Sequence, residues 1–217
     1  MKRIIAALCG AAVFALSAGA MAFTDTVGHW AENDINEMTS AGYIEGYPDG
    51  SFMPDNSVTR AEFLKIITLR YGLTQNEYSY TLWKDVSADD WYSPYCAAGM
   101  IIPEYDDGNL YPSEALQRYE AAWALANIYD LDVSSDSGSS KNMGDYQEYS
   151  GDAELCALIS SVIDNGMMNG KDDGFEPYAT LTRAELCALL NRLEDREADV
   201  ELLNIVLNSM IIPGMAQ

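Results

Sequence analysis

Apolar residues along this chain recur at helical spacing in pairs of runs, separated by turn-forming sequence. Ile35 and Met38 lie in a first run that stops at Gly42; Phe63, Leu64, Ile66 and Ile67 lie in a second that stops at Tyr71-Gly72. Glycine just after the last periodic residue is the usual helix stop, so both runs predict helices. Between them, Tyr43 to Pro54 mixes aromatics with Gly46, Pro48 and Asp49-Gly50, which predicts an ordered loop. The same order returns further along: Ala122, Trp123, Leu125, Ala126 and Ile128 mark a helix in a middle unit, and Leu155, Leu158, Ile159 and Val162, ending at Asn165-Gly166, mark one in a last unit. A final run, Leu202, Leu203, Ile205, Val206 and Met210, predicts one more helix, too short to span a membrane. The expected fold is therefore mainly all-α: three tandem helix-loop-helix repeats at residues 23–72, 82–131 and 143–194, with a C-terminal helix within 195–217. That helix is expected to pack on the third unit or on the polar stretch before it, the alternative being a docking helix for a protein partner.

The repeats share their punctuation. Thr59-Arg60-Ala61-Glu62 returns letter for letter as Thr182-Arg183-Ala184-Glu185 and in altered form as Gln117-Arg118-Tyr119-Glu120. Thr-x-x-Glu before an apolar run is a capping box, and Gln117 replaces its Thr with a weaker cap. The arginine then sits at the first helical position, beside unpaired backbone donors and the positive end of the helix dipole, a corner that suits a small anionic group. In the middle unit Trp91 lies eight residues before Gly99, whereas Trp30 lies twelve before Gly42, so the first helix there is expected to be about one turn shorter. Residues 132–142, rich in Ser, Asp and Gly, read as a flexible linker.

Residues 1–22 read as an export signal: Lys2-Arg3, an apolar stretch from Ile4 to Leu16, and Ala20-Met21-Ala22 as a cleavage site, so that the mature chain starts at Phe23. Taking away Lys2 and Arg3 leaves 10 basic against 34 acidic side chains, a charge near −24. A field of that sign repels nucleic acid and anionic membranes, and any anionic ligand must be held by local donors. Cys96, Cys156 and Cys187 are too few for a disulfide framework; Cys156 and Cys187 are either buried thiols or a bridge. The Asp-Gly loops do not fit a calcium-loop pattern, since Tyr47, Tyr105 or Lys171 falls at the third ligand position. No nucleophile motif, Cys/His cluster or phosphate loop stands beside the single His29, so neither catalysis nor a cofactor is expected.

The ordered set Phe/Trp-x-Asp, Trp, helix, Gly, Asp-Gly-x-Phe-x-Pro, Thr-Arg-Ala-Glu, helix, three times over, resembles the S-layer homology domain in its usual triplet. The resemblance implies a pseudo-threefold, three-pronged helical module that anchors exported proteins non-covalently to the cell wall, through a pyruvylated secondary cell-wall polysaccharide. The site residues it implies are Asp25, Trp30 and Arg60 from the first unit, Asp85, Trp91 and Arg118 from the second, and Asp145 and Arg183 from the third, where Glu154 stands in the place of the tryptophan. A guanidinium can grip a ketal-linked carboxylate bidentately while an indole stacks on a sugar ring. Core packing remains the alternative for the tryptophans, and capping for the aspartates. Two other classes stay open: a surface assembly subunit acting through protein contacts, and a polysaccharide-cleaving enzyme. The twenty or so residues after the repeats leave no room for a catalytic domain, which counts against the latter.

Overall fold

The computed structural model describes residues 23–211 except 104, 172, 173, 197 and 199; the expected export signal lies outside the described residues. The protein is mainly helical, with α1 at Glu32–Ser40, α2 at Arg60–Tyr71, α3 at Arg118–Ile128, α4 at Tyr146–Tyr149, α5 at Ala153–Asp164, α6 at Arg183–Arg192 and α7 at Glu201–Met210. The helix boundaries follow from the punctuation. Thr59 Oγ1 accepts from the Glu62 N–H at 3.2 Å and Glu62 Oε2 accepts from the Thr59 N–H at 2.9 Å. Thr182 and Glu185 repeat both bonds at the same distances. In the middle unit Glu120 Oε2 still accepts from the Gln117 N–H at 2.7 Å, but the Glu120 N–H turns to the Gln117 carbonyl, at 3.1 Å. Gly72 closes α2 with φ of 63°, a left-handed turn that a side chain would oppose.

The two helices of a unit do not make their main contacts with each other. The first helix of each unit instead packs on the second helix of the unit before it: the 3₁₀ helix Ser93–Ile101 on α2, α5 on α3 and, closing the circle, α1 on α6. At the centre Val58, Leu116 and Leu181, all buried, form a ring of backbone hydrogen bonds, each N–H donating to the next carbonyl at 2.9 Å. This is the pseudo-threefold, three-pronged arrangement. The first helix of the middle unit is not the turn shorter that its spacing predicts: it runs nine residues, as α1 does, because it continues through Gly99 to Ile101, and it is wound as 3₁₀ with Pro94 in its first turn.

Two further expectations are corrected. Residues 132–142 are tied down: Asp136 Oδ1 accepts from Ser160 Oγ at 2.5 Å and from the Gly138 N–H at 2.8 Å, while Ser137 and Ser139 donate to Asp164. Short polar side chains that looked like linker composition are bonded to α5. The C-terminal helix packs on the first and second units, against Ser93–Ile101, with Asn204 Oδ1 accepting from the Thr74 N–H at 2.7 Å and Asn204 Nδ2 donating to the Gly72 carbonyl at 3.0 Å. α7 adds a further neighbour to this 3₁₀ helix, beside α2, α3 and the short 3₁₀ turn Ser79–Leu82. Cys96, Cys156 and Cys187 are free, buried thiols.

Candidate functional site

The arginines at the first helical positions run the same circuit as the helices. Arg60 of the first unit enters the loop of the second: its Nε donates to Glu120 Oε1 at 2.7 Å, Nη1 reaches Glu114 Oε2 at 3.2 Å, and Nη2 donates to the Tyr105 hydroxyl. Arg118 of the second unit enters the loop of the third, donating to the carbonyls of Phe175 and Asn169, each at 2.9 Å. Arg183 of the third enters the loop of the first, donating to the Phe52 carbonyl at 2.9 Å, the Glu45 carbonyl at 2.6 Å and Glu62 Oε1 at 3.2 Å. All three are buried, at 3%, 5% and 2% exposure.

The expected corner of free helix N-terminal donors is not there. The N–H groups of Arg60 and Ala61 donate to the carbonyls of Glu114 and Pro112, those of Arg118 and Tyr119 to Ala179 and Pro177, and those of Arg183 and Ala184 to Asn56 and Pro54, all at 2.9 Å. Backbone from the neighbouring unit satisfies the donors that a lone helix would leave open.

The aspartates cap loops. Asp25 accepts from the N–H groups of Phe52 and Met53, Asp85 from those of Leu110 and Tyr111, and Asp145 from those of Phe175 and Glu176, at 2.6 to 3.0 Å. Each carboxylate thereby holds a non-glycine residue in the left-handed region, Met53 at φ 56°, Tyr111 at 53° and Glu176 at 54°. Burial raises the Asp25 carboxyl, but the two N–H bonds outweigh it and leave it below its ordinary value.

The tryptophans stand outside the core, Trp30 at 64% exposure and Trp91 at 57%. Each lines a groove assembled from all three units. One groove, of about 260 Å³, brings together Trp30 of the first unit, Arg118 of the second, and Asn169, Lys171, Glu185 and Arg192 of the third. The other, of about 180 Å³, brings together Trp91 of the second unit, Arg183 of the third, and Tyr43, Tyr47, Glu62 and Lys65 of the first. His29 steadies the first platform: its ring lies 5.4 Å from that of Trp30, its Nδ1 accepts from the Ala31 N–H at 3.2 Å, and its Nε2 meets Asp55 Oδ1 at 3.2 Å. The residues grouped by unit in the sequence, Trp30 with Arg60 and Trp91 with Arg118, are therefore separated, and regrouped as Trp30 with Arg118 and Trp91 with Arg183.

In every unit the capping-box glutamate also takes a partner outside its own cap. Glu62 Oε1 accepts from the Tyr47 hydroxyl at 3.1 Å, Glu120 Oε1 from that of Tyr105 at 2.9 Å, and Glu185 Oε1 pairs with Lys171. Burial raises the Glu185 carboxyl, yet the Lys171 ammonium and the Thr182 N–H bring it below its ordinary value. Arg118 goes the other way: burial lowers it, with Glu185, Glu176 and Asp145 opposing only through space. Lys171, Lys65 and Arg192 were not singled out from sequence as ligand residues. Lys171 shares its loop position with Tyr47, so the repeat alignment alone marks it as a place where chemistry changes.

The family model described as S-layer homology domain matches residues 22–64 and 159–187. Among curated relatives, the chain is 29% identical over 92% of its length to an S-layer protein of Bacillus licheniformis, covering 23% of that protein. It is 28% identical over 72% of its length to a cellulosome-anchoring protein of Acetivibrio thermocellus, covering 36% of it. It is also 28% identical over 82% of its length to an uncharacterised cell wall amidase of Bacillus anthracis, covering 33% of it. The chain thus spans about a third or less of most of these relatives.

Proposed function

Because this chain is an S-layer homology domain protein, whose place is the cell wall or cell surface, we propose that it is a non-enzymatic, non-covalent anchor that binds an anionic, pyruvylated secondary cell-wall polysaccharide. One observation carries the reading. Trp30 and Trp91, among the most exposed large apolar side chains, each line a groove that also holds a buried arginine and a lysine. Indole faces beside guanidinium and ammonium groups suit a polysaccharide, some of whose sugar rings bear a carboxylate. Held in local grooves, such donors work against the charge of −22 that keeps other polyanions away.

The grooves are not equivalent under this reading. Arg60 is consumed by Glu114 and Glu120, and Glu154 stands where the partner tryptophan would be, so the third position serves structure and the first two bind polymer. Co-sedimentation with purified sacculi, before and after the secondary polymer is stripped, tests this. Wild type is expected to pellet only with unstripped walls, each of Trp30→Ala and Trp91→Ala to weaken pelleting about tenfold, and the double variant to stay in the supernatant. Wild type that ignores intact walls would sink the anchor reading.

A second contact is favoured by α7, which turns Leu202, Ile205, Val206 and Met210 to solvent, a surface suited to a protein partner. Ile205→Asp is expected to leave wall binding unchanged and to reduce any association seen by sedimentation velocity.

A further inference from the structure

Within the anchoring reading, the two grooves differ in how their cations are balanced. In the Trp91 groove each cation has its own carboxylate: Arg183 Nη1 lies 3.2 Å from Glu62 Oε1, and Lys65 Nζ lies 2.9 Å from Glu45 Oε2. The lining residues carry as many carboxylates as cations, and Tyr43 and Tyr47 add aromatic surface. Among the described residues the Trp30 groove is lined by Arg118, Lys171 and Arg192 against one carboxylate, Glu185, which is taken by Lys171. Among the described residues no carboxylate comes within 4.0 Å of Arg118, whose side chain donates to two carbonyls and is only 5% exposed. A buried guanidinium without a counter-ion is costly unless a ligand supplies one.

We propose that the two grooves divide the polymer between them, the Trp30 groove taking its carboxylate-bearing residue and the Trp91 groove an uncharged sugar ring. In the first, the carboxylate supplies the counter-ion that no described residue gives Arg118, with Arg192 at the rim. In the second, a carboxylate would have to displace Glu62 or Glu45 from an existing pair, while a neutral ring stacked on Trp91 displaces neither. Recognition of two unlike units by one module fixes the polymer's direction as well as its composition.

This inference rests on wall-polymer binding, and the two can fail separately. The tryptophan indoles read each groove: Trp30 and Trp91 report the two grooves, while Trp83, whose Nε1 donates to the Cys96 carbonyl at 2.9 Å in the core, is a silent reference. The 15N-labelled protein is titrated with fragments of the secondary polysaccharide, native and with every carboxyl reduced to the alcohol. Native fragments are expected to shift both indoles. Reduced fragments are expected to shift Trp91 with an affinity within about threefold of native, and Trp30 at least about tenfold more weakly; raising salt to about 0.5 M weakens only the Trp30 response. Arg118→Gln removes the Trp30 discrimination, and should it fail to fold, the exposed Arg192→Gln is expected to weaken native binding at Trp30 about threefold without touching Trp91. Loss of both responses on reduction, or a Trp30 response indifferent to it, overturns the division while leaving the anchor intact. No response of either indole to native fragments overturns both.

Discussion

At the scale of single residues, the side chains that looked most like ligand contacts divide into struts and platforms. Arg60 is a strut: its partner Glu120 has no exposure at all, so removing the guanidinium strands a buried carboxylate. Arg60→Ala is expected to cost about 3–5 kcal/mol by chemical denaturation, whereas Arg60→Met with Glu120→Met is expected to recover most of it. A loss of wall binding in the single variant would therefore report unfolding, and the double variant is the one to assay. Asp136 is a strut of another kind. The Ser160 hydroxyl holds its carboxyl below the ordinary 3.8, against some burial, with the Gly138 N–H and the Ser140 hydroxyl helping. A carboxylate whose pKa is lower folded than unfolded adds stability above the unfolded value and loses it as the pH falls through the folded one. Asp136→Ala is expected to be about 1–2 kcal/mol less stable than wild type at pH 7 and to close that gap as the pH drops below 3.8, measured by urea titration at each pH.

At the scale of elements, local signals were legible and long-range ones were not. The capping boxes at Thr59 and Thr182 and the stops at Gly72 and Gly166 stand where short-range hydrogen bonding put them, because each depends only on residues within a turn of itself. Residues 132–142 misled because Ser and Asp have the same composition whether they face water or a helix with acceptors to offer; Ser160, twenty residues away, decides it. The exposure of Trp30 and Trp91 was equally hidden, since an indole next to a helix start packs inward or outward according to which unit arrives beside it. The C-terminal helix was placed on the wrong neighbour for the same reason. Its hydrophobic run is plain, but the surface it docks on lies at Ser93–Ile101, about a hundred residues upstream. Asn204 makes that docking specific, giving Thr74 an acceptor and capping the Gly72 carbonyl at the end of α2. Asn204→Ala is expected to cost about 1–3 kcal/mol and to raise hydrogen exchange in Ser93–Ile101 and the end of α2 while sparing α5 and α6, which pack on α3 and α1.

At the scale of the whole molecule, the repeat in the sequence is not the unit of folding. Each repeat contributes two helices that turn away from each other, each to a different neighbour, and an arginine that crosses into the next loop. The helices that pack between units are 9 to 12 residues long, short of what is stable alone in water, so a repeat cut from its neighbours keeps helix-forming sequence but loses the surfaces that make helices persist. Splitting the chain into residues 23–131 and 132–217 severs α1 from α6 and α3 from α5, and opens the central ring at Leu181. Each half is expected to show little of its native helicity by circular dichroism, and an equimolar mixture to recover it with a sharp endpoint at one to one. The grooves impose a stricter demand than the helices. Trp30 and Arg118 lie on one half and Lys171 and Glu185 on the other, so wall binding is expected from the mixture and from neither half. A half that folds with native helicity, or that pellets with sacculi unaided, would mean that the circuit of contacts between units is not what holds the grooves together.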